Sequence, residues 1–385
     1  MTDPNPIPTG ALLLHIGPQK TGSTAIQMSM HENRADLAAQ GVLYPGQEMR
    51  PREAGWAVLG GGSAVGRPAP RMQRWTELLE ELRASSLPRV CVSNEDFGRA
   101  DEAAIERIMS GLGSENTHLV LVARRLDKLL PSHWQERVKA RMTLDYEAFL
   151  HHVLDDPDRD WESRVTWEPH DIRLLLSRWG AYIPPERTTV IVSDEADRQL
   201  IPHAFESLLG LEPGTLKPPR ENSNTSLTFT QTEAVRAVNA MARAEEWSQE
   251  QYWRIVQAGV VKDLRSAPDE GGPRITGLPA WAHALVADRS DAQADAIRDA
   301  GVNVVGDPDR LRIRETVAPA DVPPPLTSVP LDLLGRVVRG AVDGSASLHR
   351  RELRAAVRQA RAESHPSGRE LVRMLGARVL HRFRG

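Results

Sequence analysis

The chain has 385 residues, 40% of them hydrophobic, and carries a net charge of −4 with a pI near 6.3. This length and composition suit one large α/β domain with an appendage or two medium domains, and they exclude an intrinsically disordered protein. The charge balance excludes the strong basic excess typical of nucleic-acid binding, and the single cysteine, Cys91, excludes a disulfide framework. We expect a cytoplasmic protein, because no stretch is long and apolar enough to span a membrane and residues 1–11 lack the features of a signal peptide.

In chain order, the first half alternates apolar runs with helical patterns. The apolar runs contain few polar residues, which is typical of strands buried on both faces. Alternating strands and helices predict a three-layer α/β fold, in which helices cover both faces of a parallel sheet. The predicted strands are 12–16, 90–92, 119–122 and 188–192, and the predicted helices are about 23–40 and 126–140.

Residues 55–70, before the second predicted strand, include three consecutive glycines. We predict a flexible loop there, with a lid over an acceptor site as the alternative. After residue 210 the pattern becomes helical, with one last short strand. The predicted helices are 227–243, 247–261 and 281–300, and the last strand falls within 301–306.

The domain organisation follows from these changes in composition. Residues 1–315 form the predicted main domain, with an α/β core at about 10–210 and a mostly helical part at 211–315. Residues 316–330 are rich in proline and predict a semi-rigid linker. Residues 331–385 form a predicted basic helical tail.

The tail differs in charge from the rest of the chain. Residues 331–385 contain twelve arginines and five acidic residues, a net charge of +7. We predict two or three amphipathic helices, broken near Gly344 and Pro366. Two interpretations remain open for the tail. Its helices are solvated and pack on the body, or they make a peripheral contact with a membrane or a contact with a protein partner.

A candidate anion-binding loop follows the first predicted strand, where the apolar run LLLHI leads into GPQKTGST. Gly17 and Gly22 enclose four residues, and backbone N–H groups in such a loop can point at an anion at the start of the next helix. An ATP-binding P-loop has lysine directly after the second glycine. Here that position is Ser23, and the lysine is Lys20, inside the loop. This displacement favours an anion that needs no metal ion, such as a sulfuryl group.

The segment HIGPQKTGST resembles the 5′-phosphosulfate loop of sulfotransferases that use 3′-phosphoadenosine-5′-phosphosulfate. The resemblance implies a parallel sheet of the P-loop nucleotide-binding type with helical C-terminal additions. It also implies that Lys20 is catalytic and stabilises charge on the leaving phosphate oxygen. The donor-binding residues that it implies in this loop are Gly17, Lys20, Thr21, Gly22, Ser23 and Thr24.

A second motif, RRLDKLLPS, begins at the end of the 119–122 strand. Arg124 stands at the strand end and Ser132 stands eight residues later, within the next predicted helix. Sulfotransferases hold the nucleotide 3′-phosphate with an arginine and a serine at this spacing, so the resemblance implies that these two residues bind it. A guanidinium and a hydroxyl are suitable phosphate donors. Arg125 is the alternative if the register differs by one.

A candidate general base lies in VCVSNEDF, where Glu95 follows the 90–92 strand. An acceptor hydroxyl must lose a proton as it attacks sulfur, and a carboxylate near Lys20 can accept it. The alternatives for Glu95 are a helix N-cap or a structural ion pair with an arginine. Asp96 is a candidate cap for the next helix and His133 is an alternative base, whereas His15 lies inside a strand and is interpreted as structural.

Together these motifs predict an enzyme that transfers a sulfuryl group from 3′-phosphoadenosine-5′-phosphosulfate to a hydroxyl of a glycan or small molecule. Adenosine 3′,5′-bisphosphate would be the other product, and no metal ion is expected. Two alternatives remain open. A P-loop nucleotide kinase or NTPase would use Glu95 and Asp96 to hold a metal ion. A non-catalytic module would bind an anionic glycan or partner through residues 331–385.

Overall fold

The computed structural model describes residues 4–61, 69–156, 159–217, 226–266, 272–314, 319–321, 323 and 326–364. The chain divides into two compact units. The first comprises residues 1–229 and 273–325, and the second comprises residues 230–272 and 326–385. The domain boundaries predicted at 315 and 331 stay a prediction.

A six-stranded parallel sheet forms the centre of the first unit, in the order β2-β3-β1-β4-β5-β6. This confirms the predicted α/β class. The first strand lies in the middle of the sheet, between the third and the fourth. The strands are β1 Leu12–His15, β2 Val42–Leu43, β3 Arg89–Ser93, β4 Thr117–Ala123, β5 Thr188–Val192 and β6 Asn303–Val305.

Helices of the first unit cover the sheet. One is shorter than predicted, because the helix expected at 23–40 is interrupted at Asn33, whose side-chain amide donates a 2.8 Å hydrogen bond to the carbonyl of Ser29. The helices are α1 Ser23–Glu32, α2 Arg34–Ala39, α3 Arg52–Leu59, α4 Gln73–Ala84, α5 Glu102–Leu112, α6 Leu126–Lys139, α7 Tyr146–Leu154, α8 Trp161–Trp167, α9 Ile172–Gly180, α10 Leu200–Leu209 and α14 Ala280–Asp299.

Two apolar cores lie on opposite faces of this sheet, because successive strand residues point to opposite sides. Leu12 and Leu14 of β1 pack in a core with residues of α3, α4, α5, α9 and α14. Leu13, between them, packs in a second core with residues of α1, α2 and α10. Burial of both faces explains the continuous apolar character of β1 and β4.

The loop predicted at 55–70 is wrong for its first residues, because Arg52–Leu59 form α3. Trp56 is buried in this helix. Its position depends on contacts with the turn after β3, which local sequence does not reveal. Residues 62–68 lie outside the described part of the chain.

The second unit is helical in its described residues. Its helices are α11 Phe229–Ala244, α12 Gln249–Tyr252, a π-helix at Trp253–Val261, α13 Lys262–Ser266 and α15 Leu331–Ser364. None of the described helices of the chain combines the length and the apolar character needed to cross a membrane.

The predicted helix break near Gly344 is wrong, since α15 continues through it. Gly340 and Gly344 lie against the backbone of the π-helix. A Cβ atom at Gly340 would lie 2.6 Å from the Cα of Val260, and one at Gly344 would lie 2.5 Å from the carbonyl oxygen of Arg254. These glycines therefore permit close helix packing and do not end the helix. The break predicted near Pro366 lies outside the described residues.

Candidate active site

The candidate site lies at the carboxyl edge of the sheet. Because all the strand pairs are parallel, the segments that follow β1, β3, β4 and β5 emerge at one edge. The connection after β1 leads to β2 and β3 on one side of the central strand, and the connection after β3 crosses to β4 on the other side. In open parallel sheets this arrangement leaves a crevice at the carboxyl end of the central strand, where ligands bind.

The loop after β1 is folded on itself. Thr21 and Ser23 both donate hydroxyl hydrogen bonds to the carbonyl oxygen of Pro18, at 2.7 and 3.1 Å. Both side chains are buried, whereas Thr24 is exposed. Gly22 precedes α1 with a φ of 105°, and it provides no side-chain cap for the helix. No side chain of the N-cap residue therefore caps the first N–H groups of α1, which suits an anion.

Gly17 is the tightest point of this loop. Its φ is +95°, and a Cβ atom there would lie 2.7 Å from the Cβ of Glu95. We expect Gly17→Ala to lower the free energy of unfolding by about 2 kcal/mol or more, because left-handed strain and steric overlap add together.

Gly46 is the matched control for Gly17→Ala, since its φ is +80° and a Cβ atom there would meet nothing within 4 Å. Gly46→Ala retains only the backbone strain, about 1 kcal/mol. Urea unfolding of the two variants measures the difference. Equal losses would show that the contact with Glu95 does not constrain the loop.

Lys20 is held at both its backbone and its side chain. It is one of three non-glycine residues with positive φ in the described chain, at 67°. Its carbonyl accepts a 2.8 Å hydrogen bond from Nη1 of Arg124, and its Nζ contacts Oε1 of Glu136 at 2.6 Å. Strained backbone of this kind persists where surrounding contacts fix it.

Glu136 is the partner of two lysines. It lies on α6, one turn after Ser132, and it binds Lys139 as well as Lys20. Burial alone would raise the pKa of this carboxyl, but the two ammonium groups outweigh burial and lower the pKa of Glu136 to about 2. Glu136 is therefore ionised at neutral pH and acts as a counter-ion for the loop lysine.

Two adjacent arginines follow β4 and have different partners. Besides the Lys20 carbonyl, Arg124 contacts Oε1 of Glu195 through Nη2 at 2.9 Å, and Glu195 is exposed. Arg125 instead forms a bidentate pair with Asp127, at 2.9 and 2.7 Å, and that carboxylate is buried. The structure thus brings Arg124 to the β1 loop and ties Arg125 into α6.

Ser132 lies half-buried on α6, in the same helix as Glu136. Residues four apart in a helix share one face, so Ser132 and the partner of Lys20 lie on the same side of α6. The two residues of the predicted 3′-phosphate motif therefore lie after β4 and on α6, and both of these segments contact Lys20 of the β1 loop, through Arg124 and Glu136.

Glu95 is bound by two donors on one oxygen. Gln27 of α1 donates a hydrogen bond to Oε2 at 2.5 Å, and Nη1 of Arg50 contacts the same oxygen at 2.7 Å. The structure therefore contains an ion pair of Glu95 with an arginine, which was one of the alternatives for this residue. Because both contacts fall on Oε2, the carboxylate is oriented without the use of Oε1.

The turn after β3 is fixed by a buried charge cluster. Asp96 accepts hydrogen bonds from Arg99 at 2.6 Å, from Trp56 at 2.9 Å and from Gln19 at 3.1 Å, and Arg50 lies 3.3 Å away. Burial would raise the pKa of Asp96, but the two arginines outweigh it and lower the pKa. Burial likewise opposes the charge of Arg50, and the neighbouring carboxylates raise the pKa of its guanidinium.

Asp96 is not the helix cap predicted for it. Asn94 caps the turn, because its Oδ1 accepts a 3.1 Å hydrogen bond from the backbone N–H of Asp96. Asp101 caps α5 through the N–H of Ala104. The carboxylate of Asp96 is occupied by the buried cluster, where an unpaired charge would be costly.

His15 lies within the sheet, as its position in a strand predicts. Its Nδ1 lies 2.8 Å from Oγ of Ser93, the residue opposite it on β3. Ser93 also accepts a 3.1 Å hydrogen bond from Gln27. Burial lowers the pKa of His15 to about 3, so the ring is neutral and structural. It belongs to the polar network that orients Gln27 toward Glu95.

His133, the alternative base, is buried away from solvent. Its Nε2 lies 3.2 Å from Oγ1 of Thr166, and its ring packs edge-on against His170 at 5.6 Å. Burial lowers the pKa of both rings, that of His170 to about 3. These rings stay neutral near pH 7, and His170 packs beside α6 against His133.

These buried histidines predict acid sensitivity. A neutral ring with a lowered folded pKa takes up no proton above about pH 3, whereas the unfolded chain does so below about pH 6.5. Stability is therefore complete above pH 6.5 and falls as pH decreases toward 3. We expect each such ring to contribute about 1.4 kcal/mol to the difference between about pH 7.5 and 5.5.

Urea unfolding of His170→Asn at the two pH values checks this expectation. The difference in the free energy of unfolding between the two pH values should shrink by about 1.4 kcal/mol, the contribution of one ring. His349→Asn, at an exposed position, is the control for the loss of a histidine as such. The same pH dependence in all three proteins would contradict the assignment.

The chain as a whole has few recognisable relatives among known proteins. No family model matches it, and no curated protein matches it. Its fold is similar to the crystal structure of a sulfotransferase from Alicyclobacillus acidocaldarius, with a TM-score of 0.37 and 12% sequence identity; the similarity covers 66% of this chain and 99% of that one. A likeness at this level assigns no activity, so the function must be inferred from the site itself.

Sequence reasoning missed the partners of the candidate site residues. Glu136, Glu195, Arg50 and Gln27 were not predicted to belong to the site. Lys20 and Glu136 are separated by 116 positions in the chain, so no local motif links them. Among the described residues, no group of three or more His, Cys, Asp or Glu could hold a metal ion.

Proposed function

We propose that this chain is a sulfotransferase, which transfers a sulfuryl group from 3′-phosphoadenosine-5′-phosphosulfate to a hydroxyl of a small molecule or glycan. The observation that supports this proposal best is the contact between Lys20 and Arg124. One guanidinium nitrogen of Arg124 binds the carbonyl of Lys20, so the lysine of the first motif and the arginine of the second meet at one loop. This contact supports a single site formed by the two motifs that resemble the family.

The donor set of this site suits an anion with two charged groups. The start of α1 offers N–H groups without a side-chain cap, and Lys20 and Arg124 add two cations. Each cation is paired with a carboxylate of the protein, Glu136 or Glu195, neither of which is fully buried. A bound phosphate or sulfate would replace these carboxylates at little cost in free energy, because neither carboxylate would be left unpaired in a fully buried place.

Each residue then has a defined role. Lys20 and the α1 N–H groups neutralise the negative charge that develops on the leaving phosphate oxygen, while Arg124 and Ser132 hold the nucleotide 3′-phosphate. Glu95 accepts the proton of the acceptor hydroxyl on Oε1, because Oε2 is bound by Gln27 and Arg50. In the transfer, the acceptor O–S bond forms and the bond between sulfur and the phosphate oxygen breaks.

The acceptor would approach from the side of α3. Arg50 and Trp56 contact the turn that contains Glu95 and Asp96, and Gly55 lies so close to Asn94 that a Cβ atom would be 2.0 Å from its side-chain nitrogen. This fixed wall borders the candidate base. The segment around α3 is therefore where differences in acceptor choice would be encoded.

A thermal-shift experiment tests the proposed donor. Adenosine 3′,5′-bisphosphate without metal should raise the melting temperature, because a ligand that binds the folded state stabilises it by mass action. ATP with magnesium serves as the comparison ligand.

The outcomes separate the proposed activity from its rivals. Stabilisation by ATP with magnesium alone would favour a nucleotide kinase or NTPase. Stabilisation by neither nucleotide would favour a non-catalytic module. Either result would overturn the proposed donor. Screening acceptor hydroxyls with sulfur-labelled donor then measures transfer directly.

A further inference from the structure

The last described helix, α15, has an unpartnered apolar stripe. Of the twelve exposed large hydrophobic side chains among the described residues, six lie on this one helix, with exposed fractions between 44% and 85%. Surface apolar residues scattered singly need no explanation, but a row on one element indicates a contact surface. The row comprises Leu331, Leu334, Val338, Val342, Leu353 and Val357.

The stripe is continuous along the helix. Positions 346 and 349, an alanine and a histidine, fill the gap between Val342 and Leu353. The eight positions follow one another at intervals of three or four residues, which places them along one face. A row of this length would cover about seven turns of helix.

The opposite face of α15 is already used inside the second unit. Gly340 and Gly344 pack against the π-helix, and Leu333 and Leu348 are buried. The stripe therefore does not belong to this packing. Beyond Leu348, every described side chain from 349 to 359 is exposed, although Arg351 still contacts Glu250 of α12 at 3.5 Å.

Arginines accompany the stripe. Residues 331–364 contain seven arginines and four acidic residues, and the arginines are concentrated after residue 349. Arg350, Arg354 and Arg358 are all exposed. An exposed apolar row beside exposed cations is complementary to a surface that is apolar inside and anionic outside, which describes a membrane with acidic lipids.

The spacing of the row argues against a left-handed coiled coil formed with a second copy of the helix. The stripe advances seven steps over 26 residues, about 3.7 residues a step, close to the 3.6 of a straight helix. A left-handed coiled coil requires 3.5. Two copies would also bring like charges together, whereas acidic lipids neutralise them.

We propose that α15 binds the surface of an anionic membrane, with Leu331 to Val357 of the stripe in the interface and the flanking arginines against lipid phosphates. This role is independent of the sulfuryl-transfer chemistry. It would hold the second unit at a lipid surface, in the manner of an interfacial helix and not of a membrane span.

Vesicle cosedimentation of the full chain tests this proposal. We expect binding to vesicles of equal parts phosphatidylcholine and phosphatidylserine, little binding to phosphatidylcholine alone, and weakening with added salt. Val338→Asp with Val342→Asp should reduce binding about tenfold or more, because charges on the stripe oppose its burial. Both side chains are exposed, so the fold should not depend on them.

Met241→Asp is the control, since Met241 is an exposed apolar residue of the second unit outside α15. It should bind vesicles as the unchanged chain does. Equal binding of the stripe variant and the control, or equal binding to both kinds of vesicle, would overturn the proposal. A dimer in sedimentation that only the stripe substitutions dissociate, without vesicle binding, would assign the stripe to a second copy instead.

Discussion

Replacing Lys20 by alanine should reduce turnover about 100- to 1,000-fold while the protein stays folded. A positioned cation aimed at developing charge is typically worth about 3 to 4 kcal/mol in the transition state. The fold should tolerate the change, because the Lys20 side chain is partly exposed and Glu136 keeps its second partner, Lys139. Sulfation of an acceptor found by the labelled-donor screen measures the turnover, and thermal unfolding measures the fold.

Lys139→Ala is the control for Lys20→Ala. Both lysines bind Glu136, but only Lys20 lies in the β1 loop. Removal of Lys139 takes away the same charge from the same carboxylate and should leave turnover within about threefold. If Lys20→Ala retains near-normal turnover, or if the two variants lose the same amount, Lys20 does not stabilise the leaving group.

Replacing Arg124 by alanine should weaken the binding of adenosine 3′,5′-bisphosphate about 10- to 100-fold. This is the loss expected when a charge-assisted contact to a phosphate is removed. Turnover should fall as well, since Nη1 of Arg124 also binds the carbonyl of Lys20. Arg124→Lys should not restore binding, because one ammonium cannot serve both contacts as the planar guanidinium does. Calorimetric titration measures the affinity.

The neighbouring arginine gives the contrast. Arg125→Ala should leave nucleotide affinity near normal but lower the free energy of unfolding by about 2 kcal/mol, because Asp127 would remain buried without its bidentate partner. Arg124→Ala should lower the free energy of unfolding by less, because its carboxylate partner Glu195 is exposed and only the hydrogen bond to the Lys20 carbonyl is lost with it. The reverse pair of results would move the 3′-phosphate contact to Arg125.

Local patterns predicted the sheet well. The strand predicted at 119–122 is observed as Thr117–Ala123, and that predicted at 188–192 is observed at the same residues. Both faces of these strands are buried, so hydrophobicity alone marks them. The edge strand Val42–Leu43 was missed, because two residues carry no periodicity and its existence depends on pairing with β3.

Glycines were the main source of error. Three in a row at 60–62 suggested a loop that began at 55, yet α3 extends to Leu59 and ends at Gly60 in the left-handed conformation. Gly344 suggested a helix break, whereas it permits close approach to the π-helix. A glycine ends a helix or allows contact with one, and only the neighbouring element decides which.

The candidate site, too, could be predicted only in part from local sequence. The sequence indicated Lys20, Arg124 and Glu95 through short motifs, because each follows a strand and all strands end at one edge. Their roles stay a prediction. Their carboxylate and arginine partners lie far away in the chain, so only the folded structure could reveal them.

The pairing of Lys20 with Glu136 has a consequence for how the site responds to its ligand. Under the proposed function, Glu136 takes the place of the donor anion at Lys20, so donor binding would exchange one counter-ion for another. Glu136 belongs to α6, which also carries Ser132. Under the proposed function, release of Lys20 by Glu136 and capture of the phosphate by Ser132, one turn earlier, would both act on α6, so this helix would respond when the site is filled.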